Sequence, residues 1–377
     1  MADSPPIDIS SLPGPAQKIL GPSAPAPAKM MAAKGIIPGL KPGDIVTVIA
    51  VLGSEADAKI AEAARATLAK LPPPLMNGAL SADLPGFVTE RLAESYGREH
   101  EVVEKLLRMP RITGQALVVL AERADERIGE LIATNEQRML EHPRVIEKLY
   151  MNKNVRMSTS DRLIELAVRN GLELEIPAFK EAAAAIKNEL IPEATPEPTF
   201  DDVLFQETET IAARTDLDSD DDDTHELDDE GEEQLRDKFL PLYAQIGQMT
   251  VTQKIRRAQL GTAAERLLLV RDPNRLVAVA AVKSPMMREN EAARISASRS
   301  VGDDVLREIA KNREFVRHYQ IKLNLVSNPR TPFTFASRLI PHLREADLRS
   351  LSRSKNIPGA VAQAVKQQLA RKSPGRR

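Results

Sequence analysis

From about residue 42 onward, apolar residues recur three and four positions apart, the spacing that lays one stripe along a helix. Between 58 and 68 this places Ile60, Ala64 and Leu68 on a single face, which Leu71 continues. The preceding run, 44–52, is rich in β-branched residues and would suit a buried strand. A small turn (Gly53, Ser54, Glu55) and an Ala-rich amphipathic stretch follow it, and together they favour an αα-hairpin with 44–52 helical. Further helices are predicted at 84–96, 100–107, 115–122 and 127–132, and then at 143–149, 160–169 and 177–190.

Some of this pattern repeats. The stretch VVEKL at 102–106 returns as VIEKL at 145–149, forty-three residues later. Asn recurs at helix ends, at Asn135, Asn170, Asn312, Asn328 and Asn356, where its tolerance of the left-handed conformation closes a helix. A period in the low forties, with helix pairs and small-residue interiors, predicts stacked units that share apolar seams. The Ala58–Leu68 helix and the NPRTP turn at 328–332 resemble HEAT-like and leucine-rich-variant α-helical repeat proteins of bacteria. That resemblance covers roughly 42–190 and 236–371. It implies a role in binding other macromolecules and brings no catalytic residues.

The expected fold class is therefore all-α, with two HEAT-like helical-repeat (α-solenoid) blocks. Composition agrees: 42% of residues are hydrophobic but only 3% aromatic, with no Trp, which suits close helix-on-helix packing. Cysteine is absent, which excludes disulfides, thiolate nucleophiles and Cys-ligated zinc. No apolar run approaches the length of a membrane span, and the first residues lack the features of a signal peptide, so a cytoplasmic protein is expected.

Charge divides the chain more sharply than hydropathy does. Residues 193–237 carry nineteen acids against two Arg, and residues 251–377 carry twenty-six Lys and Arg against ten acids. The net charge of -2 hides this split. The expected organisation has a disordered Pro/Ala-rich leader at 1–41, where seven prolines fall in the first 27 residues. An N-terminal helical-repeat domain at 42–191 follows, and then an acidic disordered linker at 192–235. A basic helical-repeat domain at 236–371 and a basic tail at 372–377 complete the chain. The tethered acidic segment is expected to fold over the basic block, with Thr208, Thr210, Thr215, Ser219 and Thr224 as places where phosphorylation could tune it.

Catalytic signatures fail on spacing. No register of the Asp run places Gly sixth and Glu twelfth, as an EF-hand requires. The five His residues include no i, i+4 pair, and Ser352 to Lys355 matches SxxK without its companion motifs. Gly35, Gly39 and Gly43 are not followed by the Lys-Ser/Thr of a P-loop. Neither an enzyme nor a cofactor, metal or small-molecule substrate is expected. The basic block is the candidate partner surface: Lys254, Arg256 and Arg257 at its start, Arg313, Arg317 and Lys322 in its middle, then Arg344, Arg349, Arg353 and Lys355. Basic residues aligned at turns would bind an acidic protein surface, as expected of a scaffold or adaptor. The alternative is a nucleic-acid-binding protein using the same block through its phosphate contacts.

Overall fold

A computed structural model describes residues 7–189, 191, 193–219 and 222–372. Among the described residues it is all-α in class: 65% are helical, with 24 α-helices and almost no strand. The chain divides into two compact units at Leu163/Ile164.

The first unit begins with a 3-10 turn, Ile9–Ser11, and then α1 (Gly14–Leu20) and α2 (Ala26–Ala33). These lie within the expected disordered leader, whose first six residues lie outside the described residues. Pro13 and Pro25 cap these helices and Pro15 and Pro27 stand in their first turns, where the missing N–H has no partner to lose. Ala16, Leu20, Ala32 and Ala33 are buried, and α2 packs on α3 (Pro42–Leu52) and α4 (Ala58–Leu68). α3 is the helix read at 44–52, and nearly every side chain from Val46 to Leu52 is buried. In α4 the predicted stripe of Ile60, Ala64 and Leu68 is buried, and Leu71 beyond it is buried too.

Next come α5 (Pro73–Leu80), α6 (Gly86–Tyr96), α7 (His100–Leu107), α8 (Gly114–Arg123) and α9 (Glu126–Ala133). α10 (Glu136–Glu141), α11 (Pro143–Met151) and α12 (Met157–Arg169), in which the division falls, follow them. Packing steps from α6 to α8 to α11, and from α7 to α9. The recurring stretches at 102–106 and 145–149 are both helical and bury matching positions: Val102, Val103 and Leu106 in α7, Val145, Ile146 and Leu149 in α11. Gly129 marks a close approach, since a Cβ there would stand 2.9 Å from Val155 Cγ2. The Tyr96 hydroxyl donates to Leu68 O (2.8 Å) and accepts from Leu71 N (2.7 Å), closing the end of α4.

The second unit continues with α13 (Phe179–Ile186) and α14 (Phe200–Arg214), then a hairpin of β1 (His225–Leu227) and β2 (Glu233–Leu235). α14 and the hairpin thus lie within the expected disordered linker, and α13 within the expected N-terminal domain, yet all belong to the second unit. The charge count hid a helical stripe: Leu204, Phe205, Thr208 and Ala212 are buried along α14, behind a capping box between Thr199 and Asp202. Thr208 and Thr224, named above as candidate modification sites, are fully buried.

α15 (Leu240–Gly247), α16 (Val251–Leu260), α17 (Ala263–Leu269), α18 (Arg275–Val282), α19 (Glu289–Ala297) and α20 (Asp303–Lys311) follow. α21 (Tyr319–Ser327), α22 (Phe333–Leu339), α23 (Glu345–Arg353) and α24 (Gly359–Lys372) complete the unit. Again α16 meets α18, α18 meets α20, α17 meets α19 and α19 meets α21. Lys372 ends α24; the rest of the expected basic tail, 373–377, lies outside the described residues.

One device is common to both units. Asn152 Nδ2 donates to Ala121 O (2.9 Å) and Ala124 O (2.8 Å), at the end of α8, while its Oδ1 accepts from Asn154 N. Asn328 Nδ2 donates to Ser296 O (3.0 Å) and Ser298 O (2.7 Å), at the end of α19, while its Oδ1 accepts from Arg330 N. Each Asn ties off a helix about thirty residues earlier. This differs from the left-handed closure read from the sequence. Asn328 has φ −77°, and only glycines have positive φ among the described residues. The amide side chain does the work, not the backbone.

Candidate partner-binding site

The predicted cations fall into three groups. Lys254 is paired with Asp272 at 3.0 Å, and Arg256 and Arg257 are 0% and 2% exposed. Both guanidinium carbons lie 5.0 Å from the centre of the Phe205 ring. These two arginines therefore leave the proposed surface stripe: α16 turns them into the core, where α14 supplies the aromatic ring and α17 a carboxylate. Arg317, Arg344 and Arg349 form a second group, exposed but engaged. Arg317 meets Glu314 at 2.7 Å, Arg349 meets Glu345, and Arg344 lies over Tyr319 at 4.4 Å. Arg313, Arg353 and Lys355 are exposed, and Lys322 is half-buried; none of the four forms an ion pair among the described residues. Arg344 and Tyr319 join α21 to the start of α23.

Arg257 belongs to a ladder that Arg266 continues. Arg257 Nε and Nη2 donate to Glu265 Oε1 (2.7 Å) and Oε2 (2.8 Å). Arg266 Nε and Nη2 donate to Glu291 Oε2 and Oε1, both at 2.8 Å, and its Nη1 donates to Gly261 O. Each carboxylate also caps its own helix at the third position, Glu265 accepting from Thr262 N and Glu291 from Arg288 N. One carboxylate thus closes a helix start and fixes an arginine of an earlier helix. Burial pushes the Glu265 carboxyl up, against the pull of Arg257.

The second feature has no signature in the sequence. β1 and β2 pair antiparallel, and Gly231 (φ 80°) takes the left-handed position in their turn. From β2, Glu233 reaches the loop between α19 and α20. Its Oε1 accepts from Arg299 N (2.9 Å), and its Oε2 accepts from Ser298 Oγ (2.8 Å) and Ser300 Oγ (2.7 Å). Arg271, just after α17, donates to Oε2 from Nε (3.3 Å) and Nη2 (3.2 Å). Burial raises the Glu233 pKa, but the two hydroxyls, Arg271 and the Arg299 N–H outweigh it and hold the carboxyl at about 2. Beside this cradle lies a cleft of about 800 Å³, lined by Leu227, Glu230, Glu232, Arg299 and Arg330 among others. Two serines flanking an arginine between helices are too common a pattern to have marked the site. The partner carboxylate lies 65 to 67 residues away in the chain.

His225 on β1 is held at about 4 by burial and by the charge of Arg271, against Asp223 and Glu233. Protonating it below its ordinary 6.5 therefore opposes the folded hairpin, and the penalty grows as pH falls from 6.5 to about 4. Glu233 acts in the same sense lower down: its contribution is complete above 4.5 and is lost as pH falls towards 2. Allowing for solvent on one side, each contributes roughly 1–2 kcal/mol. Methyl resonances of Leu227 and Leu235 are expected to move towards unfolded positions from pH 6.5 to 3. Constant shifts across that range would contradict the assignment.

No family model, no curated protein and no solved structure matches the chain. Among the described residues, no helix is long and apolar enough to cross a membrane, and no group of three or more His, Cys, Asp or Glu is placed to hold a metal ion.

Proposed function

We propose that the chain is a non-catalytic, cytoplasmic scaffold or adaptor that binds an acidic protein surface through its second unit. The observation that carries this reading is the exposure of Arg313, Arg353 and Lys355 without an ion pair among the described residues. Most other cations of the unit are engaged by their own neighbours, and an unpaired exposed cation is free to meet an external carboxylate. A HEAT-like solenoid architecture for each unit is part of the proposal. It is supported by the stepwise packing of α6 on α8 on α11 and of α16 on α18 on α20, and by the matching Asn152 and Asn328 ties. Stacks of this kind present aligned helix edges to partners. The acidic segment, docked on the same unit, limits access to it.

The test is capture from nuclease-treated extract of the source cell, comparing the full chain with Arg313→Glu/Arg353→Glu/Lys355→Glu. A defined protein is expected to be retained by the first and lost, by tenfold or more in amount, by the second. Equal retention overturns the surface. Retention of nucleic acid alone, weakening steeply with salt, favours the nucleic-acid alternative.

A further inference from the structure

The Glu233 cradle has the build of a binding site whose ligand is supplied by the chain itself. Its donors are fixed by the helices and not by the hairpin. Ser298 O is held by Asn328 Nδ2, and Ser300 O and Val301 O accept from Arg330 Nη1 at 3.4 and 3.3 Å. Arg271 Nη1 donates to Leu267 O at 2.8 Å, which leaves Nε and Nη2 aimed at the ligand. Ser298 is 5% exposed and the Arg271 side chain 9%. A site arranged this way keeps its geometry when the ligand leaves, and so offers its hydrogen bonds without reorganisation.

The occupant sits on the weaker partner. Its strands are three residues each, and a two-stranded hairpin is at best marginal by itself. Leu227 on it is 69% exposed. The hairpin therefore detaches at far lower free energy than the helices that carry the cradle unfold.

We propose that Arg271, Ser298, Ser300 and the Arg299 N–H form a carboxylate-binding cradle for an acidic peptide segment of a partner, and that Glu233 fills it in the free protein. The proposal rests on the reading of the chain as a binder of acidic proteins and names where one acidic side chain would enter. The chain's own occupant defines the ligand class: a glutamate within the run Glu230, Gly231, Glu232, Glu233. The donors converge on two oxygens, the number a carboxylate has. Asp223 stands 3.6 Å from the same guanidinium, a negative neighbour that a dianionic phosphate tolerates less well than a single carboxylate. The adjoining cleft, with Arg299 and Arg330 on its wall, accommodates the residues flanking the bound glutamate. Exchange is competitive. A tethered ligand acts at an effective concentration in the millimolar range, so a single free glutamate does not displace Glu233, whereas a multiply acidic segment does.

Fluorescence anisotropy of a labelled ten-residue polyglutamate peptide with the full-length chain tests this. Glu233→Gln keeps the shape of the hairpin and removes its charge. It is expected to tighten peptide binding by about tenfold or more, and adding Ser298→Ala/Ser300→Ala is expected to remove that gain. An unchanged affinity in Glu233→Gln overturns the proposal, as does a gain that survives the two serine changes. An equal gain for a labelled oligothymidylate overturns the acidic-peptide class. Should Glu233→Gln fail to fold, hydrogen exchange on the unaltered chain decides: saturating peptide is expected to speed exchange at 225–235, and no change sinks the idea. None of these substitutions touches Arg313, Arg353 or Lys355, so the cradle and the wider partner surface can fail separately.

Discussion

Glu265→Ala is expected to destabilise the second unit by about 3–5 kcal/mol, the largest single-residue effect the structure carries. The substitution leaves the Arg257 guanidinium, 2% exposed, without the carboxylate that receives two of its N–H groups. It also removes the cap on Thr262 N at the start of α17. Loss of charge compensation in the interior dominates, because an exposed cap alone contributes about 1 kcal/mol. Exchanging both partners, as Arg257→Met with Glu265→Leu, is expected to recover most of the loss, since paired buried ions stabilise little more than well-packed apolar groups. Urea unfolding followed by far-ultraviolet circular dichroism measures both. A loss below 1 kcal/mol for the single change, or a double variant as weak as the single, would show that the ladder does not hold α16 to α17. The ladder also accounts for Gly261, where a Cβ would stand 2.5 Å from Glu265 Oε2 and 2.6 Å from Arg257 O.

The second largest effect is expected at the asparagine ties. Asn328→Ala removes the donor from Ser296 O and Ser298 O and the acceptor from Arg330 N, with both serine carbonyls enclosed. An unsatisfied buried acceptor costs about 1–3 kcal/mol, so the variant is expected to lose about 2–4 kcal/mol. Asn152→Ala is expected to lose a similar amount in the first unit. Asn312→Ala is the control: that side chain accepts from Glu314 N at an exposed helix end, and its loss is expected to cost under 1 kcal/mol. Equal effects at Asn312 and Asn328 in urea unfolding would return the asparagines to ordinary capping. Because Asn328 also fixes Ser298, its removal is expected to loosen the cradle as well.

These two features show what could be read in advance. The α4 stripe follows from periodicity, because that helix buries one contiguous face, whereas 44–52 is buried all round and is legible as a helix only through the turn and the amphipathic stretch that follow it. Periodicity failed where composition was allowed to override it. The prolines at 13–27 point by composition to a disordered leader although several sit at helix starts, and the acids at 201–209 conceal the stripe Leu204, Phe205, Thr208, Ala212. Arg256 and Arg257 were placed on the surface because charge ordinarily seeks water. Their burial depends on Phe205 and Glu265, partners that a linear reading does not join to them. The cradle was hidden for the same reason: its parts come from residues 233, 271 and 298–300, and only the folded chain brings them together.

The Asn ties bear on how this protein is made. Each closes a loop of only 28 to 32 residues. A chain leaving the ribosome can therefore complete each such closure soon after its asparagine emerges, without waiting for distant parts of the sequence. Short-range closure of this sort favours rapid, vectorial acquisition of structure and shortens the time that apolar helix faces spend uncovered. By contrast, the salt link from Glu181 to Lys283 closes a loop of 102 residues, with a correspondingly larger entropic cost.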